Sequence, residues 1–76
     1  MDYLNKLQKI FRDVFDDEDL KINLETDANE LSDWDSLTHI TLVEQIEKEF
    51  GIKFDGDQIF KIVKVDDFVK IISEKL

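Results

Sequence analysis

The residues best suited to chemistry lie in one short stretch, residues 34–37, which reads Trp-Asp-Ser-Leu. Asp35 and Ser36 are both residue types that cap helix N-termini, and a helical pattern follows them. This helix is predicted to run from Ser36 to Phe50, where Gly51 ends it. Ser36 would therefore lie at the positive end of a helix dipole, close to backbone N–H groups without helical partners. Such a position favours a phosphate group.

His39 offers an alternative chemistry for the same serine. It is the only histidine in the chain and follows Ser36 by one helical turn, so the two could form the nucleophile and base of a small hydrolase. That mechanism also requires an orienting acid, an oxyanion hole and a cleft. A short helical chain offers little room for a cleft, so we expect no catalytic residues. We expect His39 to be partly buried, packed under Trp34.

Composition limits the class of protein. The chain has 76 residues, no cysteine, no proline, two glycines and a hydrophobic fraction of 42%, which predicts one small packed domain spanning residues 1–76. Without cysteine there is no disulfide, thiolate metal site or thiol nucleophile in the chain itself. No secretion signal opens the sequence and no apolar run is long enough to span a membrane. These features indicate a soluble, cytoplasmic protein, and we expect a monomer.

The charge of the chain indicates its partners. Its formal net charge of −9 should repel nucleic acids and anionic lipid surfaces and favour basic patches on other proteins. The same charge could merely keep a small protein in solution. The acidic residues do not form a calcium loop, because the first, third and twelfth positions around residues 55–57 are Gly51, Lys53 and Ile62. We expect no metal site.

Four helices are predicted to position Ser36, giving an all-α fold and a small four-helix bundle of three main helices and one short one. The first helix covers residues 2–15, with Asp2 as its cap. A long loop follows to residue 35. After the helix of residues 36–50, a short helix covers residues 58–62 with Asp57 as its cap, and the last begins at about Val65. The predicted loop anchors are Leu20, Ile22, Leu24, Leu31 and Trp34. The predicted core contains Leu7, Phe11, Val14, Val43, Ile46, Phe50, Phe54, Ile62, Phe68, Val69 and Ile72.

One side of the second helix is predicted to face solvent. At about 100° per residue, its apolar residues share a broad buried face, but Leu37 falls on the opposite side. Leu37 there shares a ridge with Thr41, Glu44 and Lys48. A single exposed leucine is ordinary, but beside a serine at a helix start it favours contact with a partner protein.

The chain resembles the acyl carrier proteins. The resemblance rests on Asp35-Ser36-Leu37 followed by a helix that ends in residues 47–52, Glu-Lys-Glu-Phe-Gly-Ile, and it covers nearly the whole chain. It implies that Ser36 carries 4′-phosphopantetheine through a phosphodiester, transferred from coenzyme A by a phosphopantetheinyl transferase. It also implies a non-catalytic carrier, whose thioester cargo is processed by acyl-activating and acyl-transferring enzymes with basic patches.

The resemblance further implies that the second helix is the partner-binding surface. The candidate residues are Asp35, Leu37, Thr41, Glu44, Glu47 and Lys48. Thr41 occupies a position that is commonly acidic in fatty acid carriers, Glu44 one that is often apolar, and Lys48 interrupts the acidic run. These departures favour a specialised pathway, although fatty acid or polyketide-type synthesis remains open.

Both the cargo and the class of this protein have alternatives. The chain could be an aminoacyl or D-alanyl carrier, or an acidic helical interaction module that is never modified. Whether a long acyl chain could enter the bundle is also open. Five bulky residues could fill the interior or shift to admit a chain: Phe11, Phe50, Phe54, Phe60 and Phe68.

Overall fold

The computed structural model describes residues 3–76, and these residues form four helices. Their bounds are Tyr3–Phe15 (α1), Ser36–Phe50 (α2), Gly56–Ile59 (α3) and Val65–Lys75 (α4). The predicted all-α bundle of three main helices and one short helix is confirmed. The proposed cap Asp2 lies outside the described residues.

Polar side chains of α1 hold the long loop of residues 16–35 against the bundle. The Nε–H of Arg12 donates to the carbonyl oxygen of Leu20 at 2.7 Å, and the Oε1 of Gln8 accepts from the backbone N–H of Ile22 at 3.1 Å. The helix itself ends where Asp16 adopts a left-handed conformation with φ of 52°. The loop therefore begins its return along the helix that precedes it.

Two apolar side chains fix this loop most firmly, since Ile22 and Trp34 are buried. Leu20 and Leu31 are half-buried, as expected of anchors. The prediction of an anchor at Leu24 is wrong, because its side chain is 41% exposed. Leu24 contributes through its backbone instead, where its carbonyl oxygen accepts from the N–H of Asp66 at 3.1 Å.

The loop also pairs with the segment that precedes α4, a contact the sequence did not predict. Asp27 and Lys64 form an antiparallel bridge. The N–H of Ala28 donates to the Val63 carbonyl oxygen, and the N–H of Val65 donates to the Thr26 carbonyl oxygen, both at 2.9 Å. These bonds satisfy backbone groups between two irregular segments and tie the loop to the far end of the chain.

The short helix α3 begins earlier than predicted. Its first residue is Gly56 and its N-cap position is Asp55, so the assignment of Asp57 as the cap is wrong. The side chain of Gln58 explains the shift, because its Oε1 accepts from the N–H of Asp55 at 3.1 Å and fixes the first turn there. The predicted helical positions 60–62 lie beyond the end of α3.

The core lies between the helices and contains most of the predicted residues. Eight of them are buried: Leu7, Phe11, Val43, Ile46, Phe54, Ile62, Phe68 and Ile72. Three predicted core residues are only half-buried and pack at its edge: Val14, Phe50 and Val69. Six further residues complete it: Ile10, Ile22, Trp34, Leu42, Ile52 and Val65. Within residues 3–76 no helix is long and apolar enough to cross a membrane.

Candidate functional site

Ser36 is the first residue of α2 and is exposed, but it does not cap the helix. Asp35 occupies the N-cap position, with an extended backbone and its Oδ1 accepting from the N–H of Thr38 at 2.9 Å. That backbone hydrogen bond is the main reason why the pKa of Asp35 lies below its ordinary value. In residues 3–76 no hydrogen bond or ion pair engages the Ser36 side chain. Its hydroxyl is therefore available for modification.

The first turn of α2 leaves a backbone donor beside this hydroxyl. The first helical hydrogen bond runs from the N–H of His39 to the Asp35 carbonyl oxygen at 2.8 Å. The Ser36 N–H precedes it, where a helix provides no acceptor, whereas the N–H groups of Leu37 and Thr38 bond to the Asp35 carboxylate. The Ser36 N–H and the helix dipole thus favour a phosphate at this point.

An open groove of about 190 Å³ lies next to Ser36. Trp34 and His39 contribute to it, together with Ala28, Phe60 and Ile62, and none of the described residues lining it is Lys or Arg. The Asp35 carboxylate also borders the groove and opposes a second negative charge. A phosphate group on Ser36 fits this environment only if a covalent bond holds it, because no basic side chain in the groove would retain it.

Trp34 and His39 form a hydrogen-bonded pair directly behind Ser36. The indole Nε1–H of Trp34 donates to the Nδ1 of His39 at 3.0 Å, and the His39 Nε2 lies 2.6 Å from the carbonyl oxygen of Ile59. Because Nδ1 accepts, Nε2 must carry the proton and donate to Ile59. The two side chains are 7% and 8% exposed. The predicted packing of His39 against Trp34 is confirmed, but His39 is buried rather than partly buried.

This arrangement removes the hydrolase alternative. A general base needs a free lone pair within reach of the nucleophile. The Nδ1 lone pair of His39 accepts the indole N–H of Trp34, and the Nε2–H of His39 donates to the Ile59 carbonyl oxygen. Ser36 and His39 are close in sequence, but His39 is buried and both of its ring nitrogens are hydrogen-bonded to other groups.

The predicted partner-binding residues fall into two groups on α2. Leu37 is 77% exposed, and Glu44 and Lys48 are also exposed. Thr41 and Glu47 are half-buried and engaged in the fold. The Thr41 hydroxyl donates to the Leu37 carbonyl oxygen at 3.1 Å, and the Glu47 Oε2 accepts from the Phe54 N–H at 2.8 Å.

Phe60 was not predicted as a surface residue of the site. It was counted among the bulky aromatic residues that could fill the interior, yet its side chain is 74% exposed and borders the groove. Phe60 follows directly after the last residue of α3, outside the helix that was predicted to contain it. No signal in the sequence distinguishes it from the buried phenylalanines.

Acidic charge is concentrated just before Ser36. The loop of residues 16–35 contains nine acidic residues and one lysine, and so carries most of the net charge of −9. By contrast α2 contains three glutamates and one lysine. The segment that leads to Ser36 is therefore much more negative than the helix that begins there.

Comparison with known families gives one clear match. A family model described as a phosphopantetheine attachment site matches residues 5–72. This range includes most of α1, the long loop, Ser36 and most of α4.

Individual proteins agree with the family match. The chain is 30% identical over 71 residues to the acyl carrier protein of Petrotoga mobilis, covering 93% of this chain and 84% of that protein. It is 32% identical to the acyl carrier protein of Coprothermobacter proteolyticus, covering 93% and 87%. The solution structure of holo acyl carrier protein from Geobacter metallireducens superposes with a TM-score of 0.89 at 37% identity, covering 99% of this chain and 86% of that one.

Proposed function

Because the chain belongs to the family of acyl carrier proteins with a phosphopantetheine attachment site, we propose that Ser36 is the residue to which the 4′-phosphopantetheine of this carrier is attached. The observation that carries the proposal is the exposed, unengaged hydroxyl at the start of a 15-residue helix. The other two serines are less suited. Ser73 donates its hydroxyl to the Lys70 carbonyl oxygen, and Ser32 lies in the loop, away from a helix start.

The proposed modification is a transfer from coenzyme A to the serine oxygen by a phosphopantetheinyl transferase. A bond forms between the Ser36 Oγ and the phosphorus that bears the pantetheine arm. The pyrophosphate bond of coenzyme A breaks, adenosine 3′,5′-bisphosphate leaves, and the serine proton passes to the transferase or solvent. The coenzyme A and transferase that this step requires are intracellular, which supports a cytoplasmic location.

The attached arm supplies a thiol that the chain itself lacks, since the sequence contains no cysteine. A thioester on that thiol activates an acyl group for transfer by partner enzymes. The role of this chain is to hold the arm at a fixed helix start and raise the local concentration of cargo at each partner. His39 does not serve as a general base for Ser36, because both of its ring nitrogens are occupied.

Intact-protein mass spectrometry tests the attachment site. Incubation with coenzyme A and a promiscuous phosphopantetheinyl transferase should add the mass of one phosphopantetheine group to the wild-type protein. The Ser36→Ala variant should gain nothing, whereas Ser32→Ala, four residues earlier, should be modified normally. A mass gain that persists in Ser36→Ala and disappears in Ser32→Ala contradicts the assignment. A folded wild-type protein that gains no mass favours the unmodified interaction module.

The partner-binding surface of α2 is part of the same proposal. Its exposed members Leu37, Glu44 and Lys48 support direct contact, together with Asp35 beside the serine. Thr41 and Glu47 belong to the surface by position, although their side chains also serve the fold. Leu37→Ala and Glu44→Lys should slow processing of the loaded carrier by an acyl-transferring enzyme while leaving the circular dichroism spectrum unchanged. A variant that unfolds places its residue in the core instead.

The pathway we favour is a specialised one, with an aminoacyl or D-alanyl carrier as the alternative. Thr41 and Lys48 support it, because they reduce the acidic character of the surface that partners of fatty acid carriers are expected to contact. Glu44 supports it in another way, because it places a charge where those carriers often have an apolar residue. Offering the modified protein to acyl-activating and aminoacyl-activating enzymes, and weighing the products, decides between these cargoes.

A further inference from the structure

We propose that the hydrogen-bonded pair of Trp34 and His39 closes the interior of the bundle to the cargo, so that this carrier takes short or polar acyl groups rather than long alkyl chains. The inference rests on the proposed attachment of the arm at Ser36. It assigns to the pair a role in specificity, acting through the space available to the cargo.

A long alkyl chain on the arm would gain most by leaving water. Burial of apolar surface is favourable in proportion to its area, so a carrier of long chains benefits from an apolar space within reach of its attachment site. The opening nearest to Ser36 is the groove to which Trp34 and His39 contribute. Both side chains are more than nine-tenths buried, so they form its floor rather than its rim.

The floor is fixed in place from several sides. The Trp34 ring stacks on Phe68, with ring centres 6.2 Å apart and an angle of 12° between the ring planes. It also makes a T-shaped contact with Phe11, with ring centres 5.3 Å apart. Its N–H is bound to His39, which is bound in turn to the Ile59 carbonyl oxygen at the end of α3. To move the indole would leave a buried nitrogen of His39 without a partner, which is costly.

The space beneath the floor is already filled. His39 and Phe54 both lie against Phe68, with ring centres 6.1 Å apart in each pair. Four further residues of the same core cluster are fully buried: Leu42, Ile46, Val65 and Ile72. Protein interiors are close-packed, so a chain could enter only by displacing these side chains.

What remains for the cargo is the open groove itself. Phe60 and Ile62 provide apolar surface there, and a short acyl group could lie against them while the arm stays in water. A long chain would cover this small surface and leave the rest of its length exposed. A polar or charged cargo would need no burial. The groove thus suits the two cargo classes that the closed floor permits.

The wild-type protein provides the first test. A promiscuous transferase loads acetyl- or decanoyl-phosphopantetheine from the matching acyl coenzyme A, and the two forms are compared with the unmodified protein. We expect the amide NMR signals of Leu42 and Phe68 to be the same in both loaded forms, and the melting temperatures to agree within about 1 °C. Shifted core signals and a melting temperature raised by about 4 °C or more in the decanoyl form alone would overturn the proposal.

A second arm of the test does not depend on the transferase. The sequence has no cysteine, so Ser36→Cys introduces a unique thiol that can be alkylated with a methyl-bearing or a decyl-bearing iodoacetamide. Unchanged Leu42 and Phe68 signals in the decyl form support a closed interior even if the wild-type serine is never modified. Shifts in the decyl form overturn it even if Ser36 is the natural attachment site. The two proposals therefore fail separately.

A pair of variants locates the barrier. In Trp34→Leu the decanoyl chain should shift the core signals, because the floor has lost its ring and its bond to His39. Phe50→Leu removes a ring at the other end of α2 and should behave as wild type. If Trp34→Leu folds and its Leu42 and Phe68 signals are the same with and without the decanoyl chain, Trp34 is not the barrier. If that variant does not fold, the wild-type and Ser36→Cys comparisons decide the proposal.

Discussion

The two ends of α2 differ in how their polar groups are used. At the start of the helix the Asp35 carboxylate binds Thr38, while the Ser36 hydroxyl next to it has no partner among residues 3–76. At the end of the helix, Gly51 adopts a left-handed conformation with φ of 66°. There the Glu47 carbonyl oxygen accepts from the N–H groups of Gly51 and Ile52 at 2.9 and 3.2 Å, and the Glu47 carboxylate binds Phe54.

Aromatic contacts repeat this contrast. At the end of α2, Phe50 lies at the edge of the core, in a T-shaped contact with Tyr3 whose ring centres are 5.8 Å apart. The Lys6 ammonium lies 5.5 Å from the centre of the Phe50 ring. At the start, Trp34 and His39 are buried and rigidly bonded just behind an exposed serine. An unengaged hydroxyl therefore lies at the start of α2, whereas the polar groups at its end are hydrogen-bonded within the protein.

The largest expected effect is at the serine end, in Trp34→Ala. Truncation of a buried aromatic residue costs about 3–5 kcal/mol of folding free energy, through lost burial and the cavity left behind. That is a large share of the stability of a small domain. Urea denaturation followed by circular dichroism measures the loss. A loss below about 1 kcal/mol would mean that Trp34 is not an essential part of the core.

Trp34→Phe separates the contribution of the Trp34–His39 hydrogen bond to stability from that of the aromatic ring. It retains an aromatic side chain but leaves the buried Nδ1 of His39 without its donor, which should cost about 1–3 kcal/mol. A variant as stable as wild type would show that the bond to His39 contributes little.

At the other end, Glu47→Ala should destabilise the protein by about 1–3 kcal/mol, because the buried Phe54 loses the acceptor for its N–H. The matched control is Glu44→Ala, one turn earlier and exposed, which should change stability by no more than about 0.5 kcal/mol. Urea midpoints compare the two. Equal effects at both positions would show that the Glu47 carboxylate is not required to close this end.

Gly51→Ala should cost about 1–2 kcal/mol, because an L-residue is strained in the left-handed conformation that ends α2. An added Cβ meets nothing within 4 Å, so the cost arises from the backbone alone. Gly56→Ala is the control: that site is equally open and its φ is not positive, so stability should stay the same or rise. Thermal unfolding of both variants tests the contrast, and an unchanged Gly51→Ala would refute it.

The smallest effect concerns pH at the serine end. The folded-state pKa of Asp35 is lowered from its ordinary value of 3.8, so its carboxylate adds stability above that pH. This contribution is lost as the pH falls through the lowered value. Asp35→Asn keeps a capping side chain but cannot titrate, so the wild-type advantage should be present at pH 7 and shrink in strongly acidic solution.

Urea midpoints of wild type and Asp35→Asn across this pH range measure the Asp35 contribution. Ser36→Ala, which removes no titrating group at the same end, should follow the pH dependence of wild type. A wild-type advantage that grows towards acidic pH would reverse the sign expected for Asp35.

Several features of this fold could be predicted because they depend on local sequence. The start and end of α2 follow from capping residues and Gly51, and the exposure of Leu37 follows from helical periodicity. Positions in irregular segments were less predictable. The Asp27–Lys64 bridge joins residues far apart in the sequence, and neither carries a pattern that marks a strand. The early start of α3 likewise depends on the Gln58 side chain rather than on periodicity.

The sequence alone determined the helices, the acidic loop and the resemblance that led to Ser36, because these depend on residue types and their spacing along the chain. The tertiary structure decided which polar side chains around Ser36 are held in hydrogen bonds within the protein and which are available to react. Whether His39 serves as a base or as a core residue depends on an indole and a carbonyl group brought to its two nitrogens by other parts of the chain. Such contacts arise from packing between segments, and no local pattern specifies them.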